Sequence, residues 1–362
     1  MNKELRQILL QHYNTYPKMQ LQDMVKLIYQ NEFAGGHFID NESESLMRLK
    51  SEIGSIGNEC SDNEVPLFED IGNGLVRLYL NRIHELQIDA ETINRFFINT
   101  SNTVCGSVES FVTKAGVLIK LCEEGLLPFS ADEAERYMKI LEEKGYPPVS
   151  HSEEYRKAYN PHYRVVRSEY MKFFDVFLKT DMLLKIRETV IIAIDGNSGA
   201  GKSFLAGLLG DVYDCNIFHM DDFFLTPDLR TEERLSEAGG NVDYERFRRE
   251  VLDNIRKKEV FSYRRYNCST GSLEKPVQVY RKRLNIVEGC YSMHPALADE
   301  YDLKIFLGIG RETQIARILE RNGPEMLKRF IYEWIPLEDR YFSELDIPGK
   351  CDLVYRLHEF NG

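Results

Sequence analysis

Residues 190–203 read Val190-Ile-Ile-Ala-Ile-Asp195-Gly196-Asn197-Ser198-Gly199-Ala200-Gly201-Lys202-Ser203. The apolar, largely β-branched run predicts a buried strand. The glycine-rich segment after it carries a Lys-Ser pair, the arrangement of a phosphate-binding P-loop. Gly196, Gly199 and Gly201 let the backbone curl so that successive N–H groups point inward at phosphate oxygens. A helix starting near Lys202 presents its positive end to the same anion. Lys202 then reaches the β- and γ-phosphates, and the Ser203 hydroxyl can ligate Mg²⁺. Gly196, Asn197, Ser198, Gly199, Ala200, Gly201, Lys202 and Ser203 are therefore the expected binding segment for a nucleoside triphosphate.

Composition narrows what surrounds this loop. At 362 residues the chain is long enough for two domains, each with its own core. A net charge of −12 argues against nonspecific binding to nucleic acid or an anionic membrane. No apolar run approaches the roughly 18–20 residues that span a bilayer. The first residues, Met1-Asn-Lys-Glu-Leu-Arg-Gln, lack the apolar core of a signal peptide. Cysteines 60, 105, 122, 215, 268, 290 and 351 are scattered with no Cys-x-x-Cys spacing, which suits free thiols in a reducing compartment and gives no zinc signal. The expected location is the cytoplasm.

From about residue 188 onward, short apolar runs at 189–195, 216–220, 284–288, 303–307 and 352–356 alternate with helical stretches at 202–210, 243–257 and 311–321. This alternation predicts an α/β fold, a doubly wound parallel sheet of the P-loop NTPase type, with ligands at the carboxyl ends of the strands. Residues 259–283 interrupt it as an expected hairpin or flap with Gly271 in the turn. Residues 1–166 read as a mainly α-helical domain. Leu21, Met24, Val25 and Ile28 fall at helical spacing, with Asp23 or a polar neighbour as cap, and helical patterns recur at 44–53, 89–99, 107–124 and 131–144. Segments 55–66 and 145–152 read as loops, and 167–187 as a connecting helix.

The second apolar run of the C-terminal half ends in Phe-His-Met-Asp221-Asp222-Phe-Phe, which puts acidic side chains at a strand tip. A carboxylate there can accept the proton of an attacking hydroxyl or help hold Mg²⁺; a helix cap or solvated turn is the plainer alternative. Leu284-Asn-Ile-Val-Glu288-Gly resembles a Walker B element, whose acid meets the metal or its water. Arg317 and Arg321 lie four apart on one helix face, able to close over a triphosphate, although taken alone a solvated helix with Glu320 as partner explains them better.

The segment from about 188 to the end resembles the uridine kinase/phosphoribulokinase-like branch of P-loop kinases. The matching pieces are Ile-Asp-Gly-Asn-Ser-Gly-Ala-Gly-Lys-Ser, Met-Asp-Asp-Phe-Phe, Asn241-Val-Asp243-Tyr, Ile-Val-Glu288-Gly, the Tyr301-Asp-Leu-Lys-Ile-Phe306 strand and Arg317…Arg321-Asn322. The resemblance implies that Asp221 is base and metal partner, Glu288 a metal-site residue, Asp243 a binder of acceptor hydroxyls, and Arg317 and Arg321 a lid. For Asp243, N-capping the helix that begins at Tyr244 is an equal alternative. The aromatic that precedes the family's His-x-Arg element matches Tyr266, but Gly271 stands near the expected His, and Gln314 replaces an expected lid arginine. Asp222 and Arg264 join Tyr266 and Asp243 as candidate acceptor contacts, and Arg265, Tyr291 and His294 lie in nearby loops.

The N-terminal half offers Glu32-Phe-Ala-Gly-Gly-His37, Glu69-Asp-Ile-Gly-Asn-Gly-Leu-Val-Arg77 and His151-Ser-Glu-Glu-Tyr155-Arg156, for which turns and caps are the better explanation. The expectation is thus an ATP- and Mg²⁺-dependent kinase acting on a hydroxyl of a small molecule, a nucleoside first. Catalysis would rest on Asp221, Lys202, Arg317 and Arg321, and the metal on Ser203, Glu288 and Asp221. Kinases of pantothenate, nicotinamide riboside or a sugar phosphate, and an ATP-sensing regulator, stay open, as does homo-oligomerisation. A GTPase is disfavoured because no Asn-Lys-x-Asp element follows the later strands.

Overall fold

The computed structural model describes residues 2–36, 38–56 and 66–357, which form two units dividing between Leu178 and Lys179. His37 and Cys60, and positions 57–65 of the expected loop at 55–66, lie outside the described residues.

The N-terminal unit is mainly helical, with helices Asn2–Thr15, Leu21–Phe33, Glu42–Ser55, Ala90–Thr103, Val108–Glu123 and Ala131–Glu143. Side-chain oxygens of Asn41, Ser107 and Ser130 accept from the backbone N–H groups that three of these helices leave free at their starts. Gln20 rather than Asp23 caps the second helix, and Asp23 reaches back to accept from the Gln20 N–H at 2.9 Å. Leu9, Met24, Val25, Ile28, Phe111 and Leu121 pack as the core.

The helical expectation missed a three-stranded antiparallel sheet made of β1 (Phe68–Gly72), β2 (Leu75–Tyr79) and β3 (Tyr163–Arg167) in spatial order β1-β2-β3. The polar segment 69–77, read as a turn, is the hairpin joining the first two strands. The expected connecting helix 167–187 is two helices, Ser168–Lys172 and Phe174–Ile186, because Phe173 (φ −109°, ψ 22°) leaves helical geometry between them.

In the C-terminal unit, the runs read as strands are β4 (Val190–Gly196) and β5 (Cys215–His219), followed, after the flap, by β10 (Leu284–Glu288), β11 (Leu303–Ile309) and β12 (Leu353–Leu357). The flap at 259–283 supplies β6 (Val260–Tyr263) paired antiparallel with β9 (Val277–Tyr280), and between them β7 (Tyr266–Asn267) paired with β8 (Ser272–Leu273). The main sheet is five-stranded and parallel in order β12-β11-β4-β10-β5. Every residue of β4 and β10 is buried, as expected of central parallel strands covered on both faces. The C-terminal unit therefore has the P-loop type of doubly wound fold. Register places Glu288 opposite Ile194 and His219, and Gly196 opposite Leu307, so the strand ends that carry chemistry share one edge.

Two helices depart from their expected form. The stretch 243–257 has a widened π turn, Arg248–Leu252, between Tyr244–Phe247 and Asp253–Ile255. The helix from Arg311 runs on to Arg329 across a break at Gly323 (φ 77°, ψ 171°), where Pro324 removes a backbone donor. Among the described residues no helix is long and apolar enough to cross a membrane.

Candidate active site

The loop after β4 curls because its first residue can be nothing but glycine. Gly196 has φ 142°, and a Cβ there would lie 2.1 Å from the Leu307 carbonyl oxygen of the neighbouring strand. Its partner in the turn, Asn197, donates its N–H to that same oxygen at 3.2 Å and accepts from the Ile309 N–H at 3.3 Å. The helix Lys202–Gly210 begins directly after Gly201. Lys202 Nζ folds back over the loop onto the Gly196 and Asn197 carbonyls, at 2.9 and 3.1 Å. The curl expected from the glycine spacing runs from Gly196 through Ser198, Gly199 and Ala200 to Ser203.

Two carboxylates to which the sequence motifs gave no role hold the loop in place. Asp195, fully buried, accepts from the Gly196 N–H (2.7 Å), the Tyr291 N–H (3.2 Å), the Met293 N–H (2.9 Å) and the Tyr341 hydroxyl (2.8 Å). Burial pushes its carboxyl up to about 6 despite these donors. Glu338, on the helix Ile335–Glu344, accepts from the Ser198 N–H at 3.0 Å and from the Ser198 hydroxyl. Its carboxyl is also raised, by burial first. The only sequence signal for Asp195 was its place at the end of the β4 run; for Glu338 there was none.

At the tips of β5 and β10 the acidic groups converge. Glu288 is buried and its Oε1 accepts from the Ser203 hydroxyl at 3.0 Å and faces His219 Nδ1 at 2.5 Å. The Glu288 contact raises the His219 pKa, favouring its charged form. Asp221 is exposed, yet the residues around it desolvate its carboxyl. Desolvation raises its carboxyl; Lys202, His219 and Arg321 pull it down, and Glu288 pushes it further up. A hydroxyl and a carboxylate 3.0 Å apart are the hard oxygen donors Mg²⁺ takes from protein when phosphate and water fill the rest of its shell. The residues present fit that ion.

Of the arginines, Arg317 reaches the Gly199 carbonyl at 3.1 Å, and Arg321 lies within electrostatic reach of Asp221 while bonding Asn322. Gln314, where another arginine was expected, is buried and bonds Glu338 at 3.4 Å.

The four acceptor candidates separate. Asp222 faces the flap, with Arg265 Nε and the Tyr263 hydroxyl both at 3.4 Å. Arg264 turns away from it, pairing with Glu250 at 3.4 Å, so Arg265 is the flap cation beside the acids. Asp243 caps the helix at Tyr244, accepting from the Arg246 N–H at 2.9 Å, and its other oxygen meets Arg246 Nε at 3.3 Å. Tyr266 is buried and its hydroxyl takes a hydrogen bond from Arg230 at 3.0 Å. His294 stacks on Tyr244 with ring centroids 3.9 Å apart, and burial holds it down to about 4, a packing histidine.

No protein-family model matches the chain. Solved structures do resemble it. A possible uridine kinase from Bacillus stearothermophilus is 19% identical, with 52% of this chain and 99% of that one covered and a TM-score of 0.41. A candidate fructose transport system kinase from Silicibacter sp. TM1040 is 21% identical over 49% of this chain and 97% of that one, at 0.40. The YGR205w protein is 16% identical over 52% and 92%, at 0.37. The resemblance read from the motifs thus has counterparts among solved structures, and none of them fixes an activity for this chain.

Proposed function

We propose that the C-terminal unit is an ATP- and Mg²⁺-dependent kinase that moves the γ-phosphoryl group to a hydroxyl of a small molecule, with a nucleoside as the favoured acceptor. The observation that carries this reading is the gathering of Asp221, Glu288 and His219 at the strand tips, with Glu288 bonded to Ser203 of the loop and Asp221 within electrostatic reach of Lys202. The loop N–H groups and Lys202 hold the phosphates, and Asp221 orients the acceptor hydroxyl and takes its proton. Ser203 and Glu288 would hold Mg²⁺, which would supply charge neutralisation at the phosphates. Arg317 and Arg321 add positive charge where the transferring group is exposed, and Arg265 and Asp222 of the flap side meet the acceptor.

An acceptor other than uridine is favoured by one observation. Gly271 stands at the place where a base-reading side chain was expected, and a Cβ added there would lie 3.9 Å from the Tyr266 hydroxyl. Pantothenate, nicotinamide riboside and sugar phosphates therefore belong in the same test. The test is a panel of nucleosides, vitamins and sugars incubated with Mg²⁺-ATP and read by mass for a phosphorylated product. Acceptor-dependent ADP release supports the reading; ATP binding with no acceptor-dependent turnover makes the chain an ATP sensor instead. Asp221→Asn should lower turnover by about 10²–10⁴-fold and leave ATP binding in place.

A further inference from the structure

A cavity of about 680 Å³ lies wholly within the N-terminal unit, between the helices Leu21–Phe33 and Glu42–Ser55, the loop at 148–151 and β3. Its lining is chemically uneven. One wall is a buried polar chain. His151 Nδ1 meets Asp23 Oδ1 at 2.9 Å, and Asp23 also accepts from the Ser152 N–H, the Ser152 hydroxyl and the Gln20 N–H. His151 Nε2 lies 2.6 Å from the Tyr163 hydroxyl. Burial holds His151 down to about 4, so the ring is neutral: Nδ1–H donates to Asp23, and Nε2 accepts from Tyr163. The Tyr163 oxygen in turn accepts from Gln30 Nε2 at 3.1 Å. Behind it the fully buried Arg77 bonds Gln30 and Glu69, with its guanidinium 4.7 Å from the Tyr163 ring centre. Such a network is costly to bury and fixes the hydroxyl of Tyr163 to one orientation.

Lys26 stands beside this wall with its Nζ on the Val149 carbonyl at 2.9 Å. Among the described residues it has no carboxylate within ion-pair distance, and Arg77 and Arg156 add to the positive field around it. Burial and that field lower its pKa to about 8. The lining also carries Tyr29, one turn on from Lys26 in the same helix, with Phe38 and Phe97, and Phe38 is 75% exposed. Ala34, at the same lining, ends the helix Leu21–Phe33 with φ 51° and ψ −114°, a backbone state that residues with a Cβ rarely adopt.

We propose that this cavity is a second ligand site, for a small molecule with a phosphate or carboxylate group bound by Lys26 and a flat or apolar body packed on Tyr29, Phe38 and Phe97. The Tyr163 hydroxyl, its proton committed to His151, offers the ligand an acceptor lone pair. Arg48 and Arg164, which also line the cavity, extend its positive side, although each is partnered, by Glu44 and Glu52. The site stands apart from the kinase reading, since none of its residues belongs to the C-terminal unit.

The test uses the full chain, pyridoxal as the labelling probe, and pyridoxine 5′-phosphate, which carries the anion and no aldehyde, as competitor, with pyridoxine as the competitor lacking the anion. The fraction of Lys26 amine that is neutral adds to the pyridoxal aldehyde carbon, water leaves, and borohydride delivers hydride to the resulting C=N bond to give a stable amine that peptide mass mapping locates. Labelling at Lys26 is expected to be blocked by both competitors, with a half-blocking concentration about ten-fold lower for pyridoxine 5′-phosphate than for pyridoxine. Arg48→Ala is expected to narrow that ratio. Equal protection by both competitors overturns the anion site, and labelling no faster than at the exposed Lys157 makes Lys26 a structural tie to Val149. Labelling at Lys202 is mapped on its own peptide and reports the P-loop separately.

Discussion

Asp221 is the residue on which the kinase reading turns, and its titration gives a direct check. Its folded pKa lies above the ordinary carboxylate value, chiefly through desolvation. The ionised form is the one that accepts the hydroxyl proton, so kcat/KM should fall as pH drops through this raised value, higher than an exposed aspartate would give. The acid limb should vanish from the residual activity of Asp221→Asn and survive in His219→Gln, whose pKa is raised for a different reason, the Glu288 contact. Gly196 makes a second check, of stability. Gly196→Ala places a Cβ against the Leu307 carbonyl and should cost at least about 2 kcal/mol in urea unfolding and abolish ATP binding. The places of Lys202, Ser203, Asp221 and Glu288 at the ends of β4, β5 and β10 were legible because each follows an apolar run at a short, fixed distance. Glu338 and Asp195 were not, because a carboxylate that serves buried N–H groups has no characteristic spacing.

At the scale of elements, the parallel sheet was readable nearly to the residue. Its strands are continuous apolar runs such as Val190–Ile194 and Leu284–Val287, which few other structures accommodate. The N-terminal sheet was hidden for the opposite reason. All five residues of β2 are buried, Arg77 among them, so neither alternation nor an apolar run marks it. The helix Ile335–Glu344 shows how an element without a motif can still serve the site. It brings Glu338 to Ser198, and Glu338→Ala would leave the Ser198 N–H without its partner. We expect a loss of about 1–3 kcal/mol in stability and a rise in the KM for ATP larger than the fall in kcat. Glu338→Gln, which retains one acceptor oxygen, should lie between the two. Equal KM values across the three proteins would show that the helix does not position the loop.

For the whole molecule, Trp334 is the sole tryptophan and lies in the C-terminal unit, so its emission reports that unit, whereas the helical signal sums both. Mg²⁺-ATP at a hundred times its Kd stabilises by about 2.7 kcal/mol, which for a unit of this size raises the midpoint by roughly 5–10 °C. That shift should be read at Trp334 and should disappear in Lys202→Ala. A shift that persists in Lys202→Ala would place the nucleotide elsewhere.

The strand order β12-β11-β4-β10-β5 has a consequence for how the chain is made. The first two strands of the sheet to leave the ribosome, β4 and β5, do not pair with each other; β10 must come between them. At about 5–20 residues per second, the 65 positions from His219 to Leu284 keep both strands without partners for roughly 3–13 s. The P-loop is thus among the first parts of its unit to be synthesised and among the last to be able to close. During that interval the nascent chain carries open strand edges, the surfaces that chaperones cover and that aggregation exploits.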